Sequence, residues 1–278
     1  MFRGRVKRDS KYYSFSLLRL LSGTRFTMSI PGTEIFRCYD DLGPIRVFEE
    51  GTVRFLAFGE DSQQSAIDLT RPSDLAFEYT QAMLLGLIYV PEPKRITLLG
   101  LGGGSMVHAF RQYSTELLID VVELRPLVIK VAHDWFDLPT DDERLNLFPE
   151  DAKAYMAEFY GETDMILADI YNDDGMLDIQ LNASFLTNCF NALSRNGVLI
   201  LNLWDQGKGT HPKARQALDA HFGGNCLACS IGGDNLIVFA FKGGMPQIND
   251  RHLQPLVKRL SKRLPFSATK FVHKLKPL

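Results

Sequence analysis

The sequence predicts an α/β protein with a doubly wound, seven-stranded, mostly parallel sheet and a small N-terminal β-hairpin layer. Two observations lead to this prediction. A buried apolar strand, Ile96 to Gly100, runs directly into a glycine-rich turn, and a helix begins at Ser105 straight after it. Beyond that turn, apolar strands alternate with helical segments, which is typical of a parallel sheet.

The chain divides into four predicted regions. These are a basic tail at 1–30, a small β element at 31–70, the α/β domain at 71–245 and a basic helical extension at 246–278. Ile45 to Ile67 has the short alternating pattern of a β-hairpin around a turn at Gly51. Pro72-Ser73-Asp74 predicts an N-cap for an apolar helix from Leu75 to Val90.

The other elements follow from apolar runs separated by polar turns. Further strands are expected at Leu117 to Glu123, Leu145 to Phe148, Met165 to Asp169, Val198 to Leu203, Cys226 to Ile231 and Asn235 to Phe241. The helices between them are expected to begin near Ser105, Pro126, Ala152, Leu181 and Lys213. The last two strands, joined by Gly232-Gly233-Asp234, look like an antiparallel hairpin.

Composition narrows the class of protein. The 278 residues carry a formal net charge of -2, which gives no electrostatic case for nucleic acid as a partner. Four cysteines are too few for a disulfide framework, so a reducing cytoplasm is expected. Cys226 and Cys229 lie three apart in a predicted strand, point to opposite faces and are interpreted as core residues. No apolar run approaches the roughly 20 residues of a membrane span.

The spacing of the turn limits the ligand. Gly100, Gly102 and Gly104 give G-x-G-x-G, whereas the dinucleotide fingerprint would require glycine in place of Ser105. Glycine suits a backbone that takes left-handed dihedrals and comes close to a ligand. The strand ending at Glu123 places an acid where a ribose diol is bound in such folds. An adenosine-type ligand is therefore expected rather than NAD.

Residues that follow parallel strands meet at one edge of the sheet, which is where ligands bind. Those residues are Gly100 to Ser105, Glu123, Asp151 with Ala152, Asp169 and Trp204. Glu123 fits ribose binding, or alternatively a solvated helix-entry acid. Asp151 fits a hydrogen bond to an adenine amino group, or alternatively a helix cap.

An acidic loop follows Asp169, with Asp173 and Asp174 close behind it. Three carboxylates at a site mouth repel one another, so the cluster suits a bound cation. The alternative is a solvated turn with a helix cap.

The chain from about Ile45 to Phe241 resembles the spermidine synthase family, the aminopropyltransferases. The similar segments are Pro91-Glu-Pro-Lys-Arg-Ile, the glycine turn, Val121-Val-Glu123, Asp151, Asp169 and Gly197-Val-Leu-Ile-Leu-Asn-Leu-Trp204. The resemblance implies a methyltransferase-like sheet behind a β-hairpin layer. It also implies transfer of an aminopropyl group from decarboxylated S-adenosylmethionine to a polyamine, without a metal.

The resemblance also implies residue roles. Asp169 corresponds to the family's base, Gln64 to a glutamine that touches the donor, and Tyr79, with a one-residue offset, to a substrate-side tyrosine. Cofactor contacts are expected from Gly100, Gly102, Gly103, Gly104, Ser105, Glu123, Asp151 and Ala152, and substrate contacts from Gln81, Asp173, Asp174 and Trp204. A homodimer is an implied expectation.

Three positions depart from the family pattern. The aspartate inside the glycine turn is replaced by Gly103, an acid two residues after the tyrosine by Gln81, and the second loop acid by Asn172. Loss of the turn aspartate would favour a donor that keeps its carboxylate, namely S-adenosylmethionine. Two alternatives therefore stay open: a methyltransferase on the same scaffold, and a nucleoside-binding protein without catalysis.

Overall fold

The computed structural model describes residues 30–59, 62–172, 175–176, 178–204, 211–232, 235–247 and 249–278. Within these ranges a small antiparallel sheet precedes a large mixed sheet. Three predicted features lie outside the described residues. They are the basic tail up to residue 29, the loop acids Asp173 and Asp174, and the turn residues Gly233 and Asp234.

The small sheet has four strands rather than the two of a hairpin. They are β1 (Thr33–Asp40), β2 (Gly43–Glu50), β3 (Val53–Phe58) and β4 (Ser62–Asp68), paired in chain order. Alternation gives the sheet two apolar faces. One face, including Ile45, Leu56 and Ile67, packs against Phe136 of a helix in the main domain. The predicted layer is confirmed, and its first strand, at Thr33–Asp40, precedes the pattern noted from Ile45 to Ile67.

The main sheet forms the core of the domain. Its strands are β5 (Arg95–Leu99), β6 (Leu118–Val122), β7 (Leu145–Phe148), β8 (Thr163–Ala168), β11 (Leu193–Trp204), β12 (Cys226–Ser230), β13 (Asn235–Phe241) and β14 (Leu275–Pro277). A separate two-stranded sheet is formed by β9 (Tyr171–Asn172) and β10 (Gly175–Met176). The strand order is β14-β12-β13-β11-β8-β5-β6-β7. Five neighbouring strands, β11, β8, β5, β6 and β7, run parallel to one another. The strands β13, β12 and β14 pair antiparallel with their neighbours.

The α/β class and the mostly parallel sheet are confirmed, but the strand number is corrected from seven to eight. The additional strand, β14, pairs with β12 at the edge of the sheet. Its three residues are too short for a periodic pattern, so no local signal indicated it.

Helices cover both faces of this sheet. They are α1 (Glu78–Met83), α2 (Gly86–Tyr89), α3 (Ser105–Tyr113), α4 (Pro126–Phe136), α5 (Ala152–Glu158), α6 (Ala183–Ala192), α7 (Pro212–Phe222), α8 (Asp250–Arg263) and α9 (Thr269–Val272). Cys229 is buried in the apolar cluster on one face and Cys226 in the cluster on the other. The expectation that they point to opposite faces is confirmed, and both are free thiols.

The predicted helix from Leu75 to Val90 is wrong in its extent. It is two short helices, and α1 starts after Phe77 without a side-chain cap. Asp74 does not cap it but forms an ion pair with Arg71 at 3.0 Å. The interruption precedes Gly86, where a Cβ would lie 2.4 Å from Ile200 Cδ1. Glycine is a poor helix former, and here it brings the backbone close to the sheet.

The other predicted helix starts hold within two residues. Asn182 is the N-cap of α6, because its side chain accepts hydrogen bonds from Ser184 N and Phe185 N. The C-terminal α8 buries Leu253, Val257 and Leu260. No helix among the described residues is long and apolar enough to cross a membrane.

Candidate active site

A cavity of about 650 Å³ lies at the carboxyl ends of the parallel strands, beneath β4 of the small sheet. This is the edge at which ligands bind in open α/β sheets. Ten of the predicted site residues line it: Gln64, Tyr79, Gly100, Gly102, Ser105, Glu123, Asp151, Ala152, Asp169 and Trp204. The predicted strand-end cluster is therefore a single pocket.

The glycine turn has the backbone that the sequence predicted. Gly100, Gly102 and Gly104 have backbone φ angles of 100°, 58° and 86°, which residues with a Cβ rarely adopt. A Cβ on Gly100 would lie 2.4 Å from the carbonyl oxygen of Asp169. The turn and the strand end that carries Asp169 are thus in backbone contact, and α3 starts immediately afterwards with Ser105 on the cavity wall.

Gly103 and Gly104 do not line the cavity, in contrast to the expectation that they contact a donor. A Cβ on Gly103 would lie 3.0 Å from Phe136 Cδ1 and 3.1 Å from Ser65 Oγ. A Cβ on Gly104 would lie 2.8 Å from Leu138 Cδ1. Both glycines pack closely behind the cavity wall, so a side chain at Gly103 would press against Phe136 and Ser65.

Glu123 holds the turn in place while lining the cavity. It is 8% exposed, its Oε2 accepts from Leu101 N at 3.0 Å and its Oε1 accepts from Arg125 N at 3.0 Å. Burial raises the pKa of this carboxyl, and the backbone hydrogen bonds oppose that effect. Glu123 is therefore not a solvated acid, and its role toward a ribose remains a prediction.

Asp151 is the N-cap of α5. Its Oδ1 accepts from Lys153 N at 3.0 Å and from Ala154 N at 2.9 Å. The capping alternative is thus present in the structure. The same exposed side chain also borders the cavity beside Ala152, so a contact with an adenine amino group remains a prediction.

Asp169 lies on the floor of the cavity between two polar partners. Its Oδ1 accepts from Asn202 Nδ2 at 2.8 Å, and the Tyr79 hydroxyl donates to the same carboxylate. Burial raises the pKa of Asp169, whereas these two hydrogen bonds lower it. Burial and the charge of Asp169 raise the pKa of Tyr79 well above its usual value. A carboxylate with a raised pKa is suited to accept a proton near neutral pH.

A β-bulge in β4 explains how the small sheet reaches the cavity. Leu56 of β3 pairs with Ser65 and Ala57 pairs with Gln63, so Gln64 is an extra residue on β4. The consecutive residues Gln63, Gln64 and Ser65 all line the cavity, which regular alternation would not allow. Bulges often redirect a side chain next to a functional site.

Gln81 does not lie where the sequence analysis expected it. It is 5% exposed and does not line the cavity, because its Nε2 donates to the Leu75 carbonyl at 2.6 Å and holds the segment before α1. A substrate contact from this residue is not supported. Asp173 and Asp174, also expected to contact substrate, lie outside the described residues.

Sequence reasoning missed several cavity residues, among them Asn202, Asn235, Tyr171 and Arg125. For Asn202 a signal existed. It is the one polar residue in the otherwise apolar run Val198 to Leu203, and it is 2% exposed. A polar group buried in a central strand requires a hydrogen-bond partner, and this indicates a site.

The described side chains make the cavity acidic. Glu123, Glu150, Asp151 and Asp169 line it. The cation beside them, Arg125, is bound through Nη2 to Asp40 Oδ1 at 2.7 Å. The described residues also contain no group of three or more histidine, cysteine, aspartate or glutamate side chains that fits a metal ion. A lining of this sign attracts an organic cation.

Arg125 joins the two sheets, and its loss should destabilise the protein. It is 6% exposed, contacts Asp40 and the Gly43 carbonyl, and lies over the Phe58 ring. We expect Arg125→Ala to lower the free energy of unfolding by about 3 kcal/mol in urea titrations, since a mostly buried ion pair loses one partner. Lys130→Ala, which breaks an exposed pair with Asp134, should change it by less than about 1 kcal/mol.

This effect should depend on pH. Arg125 lowers the pKa of Asp40, so the pair stabilises the fold above the unfolded-state pKa and loses that effect as the pH falls through the folded-state pKa. The difference between wild type and Arg125→Ala should therefore shrink in acid. A difference that stays constant down to the acid transition would contradict this role of the pair.

Known proteins are similar to this chain in sequence. The family model described as Spermine/spermidine synthase domain matches residues 77–213. A polyamine aminopropyltransferase of Neisseria meningitidis is 32% identical over 221 residues, covering 78% of this chain and 83% of the relative. The polyamine aminopropyltransferase of Chromobacterium violaceum is 30% identical, covering 84% and 89%.

Solved structures support the fold. A probable spermidine synthase from Corynebacterium glutamicum superposes with a TM-score of 0.70 at 18% identity, covering 83% of this chain and 87% of that one. Human methyltransferase-like protein 13 in complex with SAH gives a TM-score of 0.59 at 25% identity, covering 68% and 93%. Because the curated relatives are 30–32% identical to this chain over most of their length, the chain belongs to the spermine/spermidine synthase family.

Proposed function

We propose that this protein transfers an aminopropyl group from decarboxylated S-adenosylmethionine to a cationic amine acceptor of the polyamine class, with Asp169 as general base. The observation that supports it best is the half-buried Asp169 carboxylate in an acidic cavity, held by Asn202 and Tyr79. Membership of a family of transferases and relatives named polyamine aminopropyltransferases support the same reaction.

The cavity supplies recognisable groups for the nucleoside part of a donor. Gly100 and Gly102 let the backbone come close to a ligand, since neither carries a Cβ. We assign Glu123 to the ribose hydroxyls, Asp151 and Ala152 to the adenine, and Gln64 to the donor's tail side. Trp204 is 42% exposed at the rim and is assigned to the acceptor.

The chemical task of the site is to make an ammonium nucleophilic. An amine with a pKa of about 10.4 is protonated at pH 7, and removing its proton costs about 4–5 kcal/mol. Asp169 takes that proton, and the freed nitrogen lone pair attacks the propyl carbon bound to the sulfonium. A carbon–nitrogen bond forms as the carbon–sulfur bond breaks. The bonding electrons return to sulfur, which leaves as a neutral thioether.

A second candidate is methyl transfer from intact S-adenosylmethionine to an amine, and one specific observation favours it. At Gly103 the turn lacks the aspartate expected to hold the donor's amine, and Phe136 and Ser65 pack closely against that position. The similarity to a methyltransferase solved with SAH fits this candidate as well.

Donor binding separates the two candidates. We expect isothermal titration calorimetry to give tighter binding for decarboxylated S-adenosylmethionine than for the intact donor. Mass spectrometry of putrescine incubated with enzyme and donor should then detect the mass of an added aminopropyl group. Preferential binding of the intact donor together with a methylated amine product would replace the first candidate by the second. The same product assay on Asp169→Asn controls for contaminating activity.

A further inference from the structure

We propose that Asn202, itself set by Asn235, is the positioning residue that orients the Asp169 carboxylate for proton transfer. This inference rests on the proposed function, in which Asp169 is the base. Asn202 lies on β11 next to β8, and β8 ends directly before Asp169. Two hydrogen-bonded side-chain amides therefore connect the first residue of β13, Asn235, through Asn202 to Asp169.

The direction of each hydrogen bond follows from the chemistry of the groups. An ionised carboxylate only accepts, so the amide nitrogen of Asn202 must face Asp169 Oδ1, as it does at 2.8 Å. The amide oxygen of Asn202 then faces a donor, which is Asn235 Nδ2 at 2.9 Å. Asn235 thus fixes the one amide orientation that suits a charged Asp169.

The main chain of Asn202 is held as firmly as its side chain. Its carbonyl oxygen accepts from the Tyr171 hydroxyl at 3.2 Å and from Gln180 Nε2 at 3.3 Å. Because Asn202 is 2% exposed, an unpaired amide there would be costly. Asn202 is a polar residue among apolar neighbours in a central strand, and among the described residues its charged partner is Asp169.

The electrostatic surroundings of Asp169 make the contribution of Asn202 measurable. In the described part of the chain, the titratable groups that interact with Asp169 are Tyr79 and Tyr171. Both are neutral phenols near pH 7, since burial raises their pKa values. Asn202 and Tyr79 therefore supply the hydrogen bonds that favour the charged form of Asp169 against burial.

The decisive variant is Asn202→Asp, which keeps the shape but replaces the amide donor by a carboxyl group. Two carboxyl groups about 3 Å apart cannot both ionise, so the pair retains a proton. We expect kcat at pH 7 to fall at least about tenfold and to recover as the pH rises, so that the acid limb of the pH profile moves up by about one unit or more. Donor affinity should stay unchanged.

Asn235→Ala tests the hydrogen bond from Asn235 to Asn202. Asn235 contacts Asn202 rather than Asp169, so its loss should free the amide of Asn202 to rotate. We expect kcat to fall about tenfold, less than for loss of a general base, which is worth about 10²–10⁴-fold. The KM for the donor should not change.

A matched control exists elsewhere in the sheet. Asn146 Nδ2 donates to Asp120 Oδ1 at 2.8 Å, and neither residue lines the cavity. Asn146→Asp also places two carboxyl groups side by side, although Arg95 binds Asp120 here, and it should leave the pH profile of kcat unmoved. A shift as large as that of Asn202→Asp would show that the effect is not specific to the base.

A titration of the carboxyl group keeps the test independent of any acceptor. Carbon-13 NMR of aspartate-labelled protein, with the Asp169 signal assigned by its loss in Asp169→Asn, should show a higher midpoint in Asn202→Asp. If Asp169→Asn turns over like wild type, the proposed base is wrong. If Asp169→Asn is inactive but Asn202→Asp keeps the wild-type midpoint and pH profile, the positioning inference alone is overturned.

Discussion

Replacement of Asp169 by asparagine should lower kcat by about 10²–10⁴-fold, the usual effect of removing a general base. The reason is that the acceptor ammonium then has no carboxylate on the cavity floor to take its proton. Asparagine keeps the size of the side chain and an oxygen that accepts from Asn202. Steady-state rates with a saturating donor and a diamine acceptor measure the change.

Two controls separate lost chemistry from lost structure. Calorimetry should give the variant wild-type donor affinity, because Glu123, Gly100 and Gly102 are untouched. The pKa of Asp169 is raised, so any stability it contributes is fully present below its unfolded-state pKa and is lost as the pH rises through its folded-state pKa. At neutral pH the melting temperature of the variant should therefore equal or exceed that of wild type. Retained turnover would refute the proposed role.

Gly100→Ala should give the largest loss of stability among single changes in the glycine turn. Its Cβ would lie 2.4 Å from the Asp169 carbonyl oxygen, at a backbone φ of 100°. Backbone strain costs about 1–3 kcal/mol and overpacking about 1–3 kcal/mol, so we expect a loss of about 2–5 kcal/mol in urea unfolding. The displaced carbonyl also belongs to the base, so activity should fall even at temperatures where the variant is fully folded.

Gly244→Ala separates the two causes. Gly244 has a similar φ of 104°, but nothing lies within 4 Å of its Cβ position. This control should therefore show the backbone strain of about 1–3 kcal/mol without the contact, and full activity. Equal losses in the two variants would mean that the approach of Gly100 to Asp169 contributes nothing.

Much of the site was predictable because parallel strands bring their carboxyl ends together. Knowing that Gly100, Glu123, Asp151 and Asp169 each follow a strand was enough to place them in one cavity, since the topology does the rest. Positive φ at the turn was likewise predictable from glycine alone. These inferences needed only local patterns and one rule of fold geometry.

Features that depend on partners distant in sequence were not predictable. The predicted helix from Leu75 to Val90 is interrupted before Gly86, which approaches Ile200 of the sheet, and no local pattern shows this contact. The β4 bulge shows only in the pairing with β3. Asn202 was visible as a buried polar residue, but its partners Asn235 and Asp169 follow from strand order.

The packing around Gly103 links two positions that lie far apart in the sequence. Phe136 on α4 and Ser65 on β4 both touch the space that a side chain at this position would enter. Residues in contact show non-additive effects, so an acid here and a smaller residue at position 136 depend on each other. A side chain at position 103 therefore requires Phe136 or Ser65 to shift by a few tenths of an ångström.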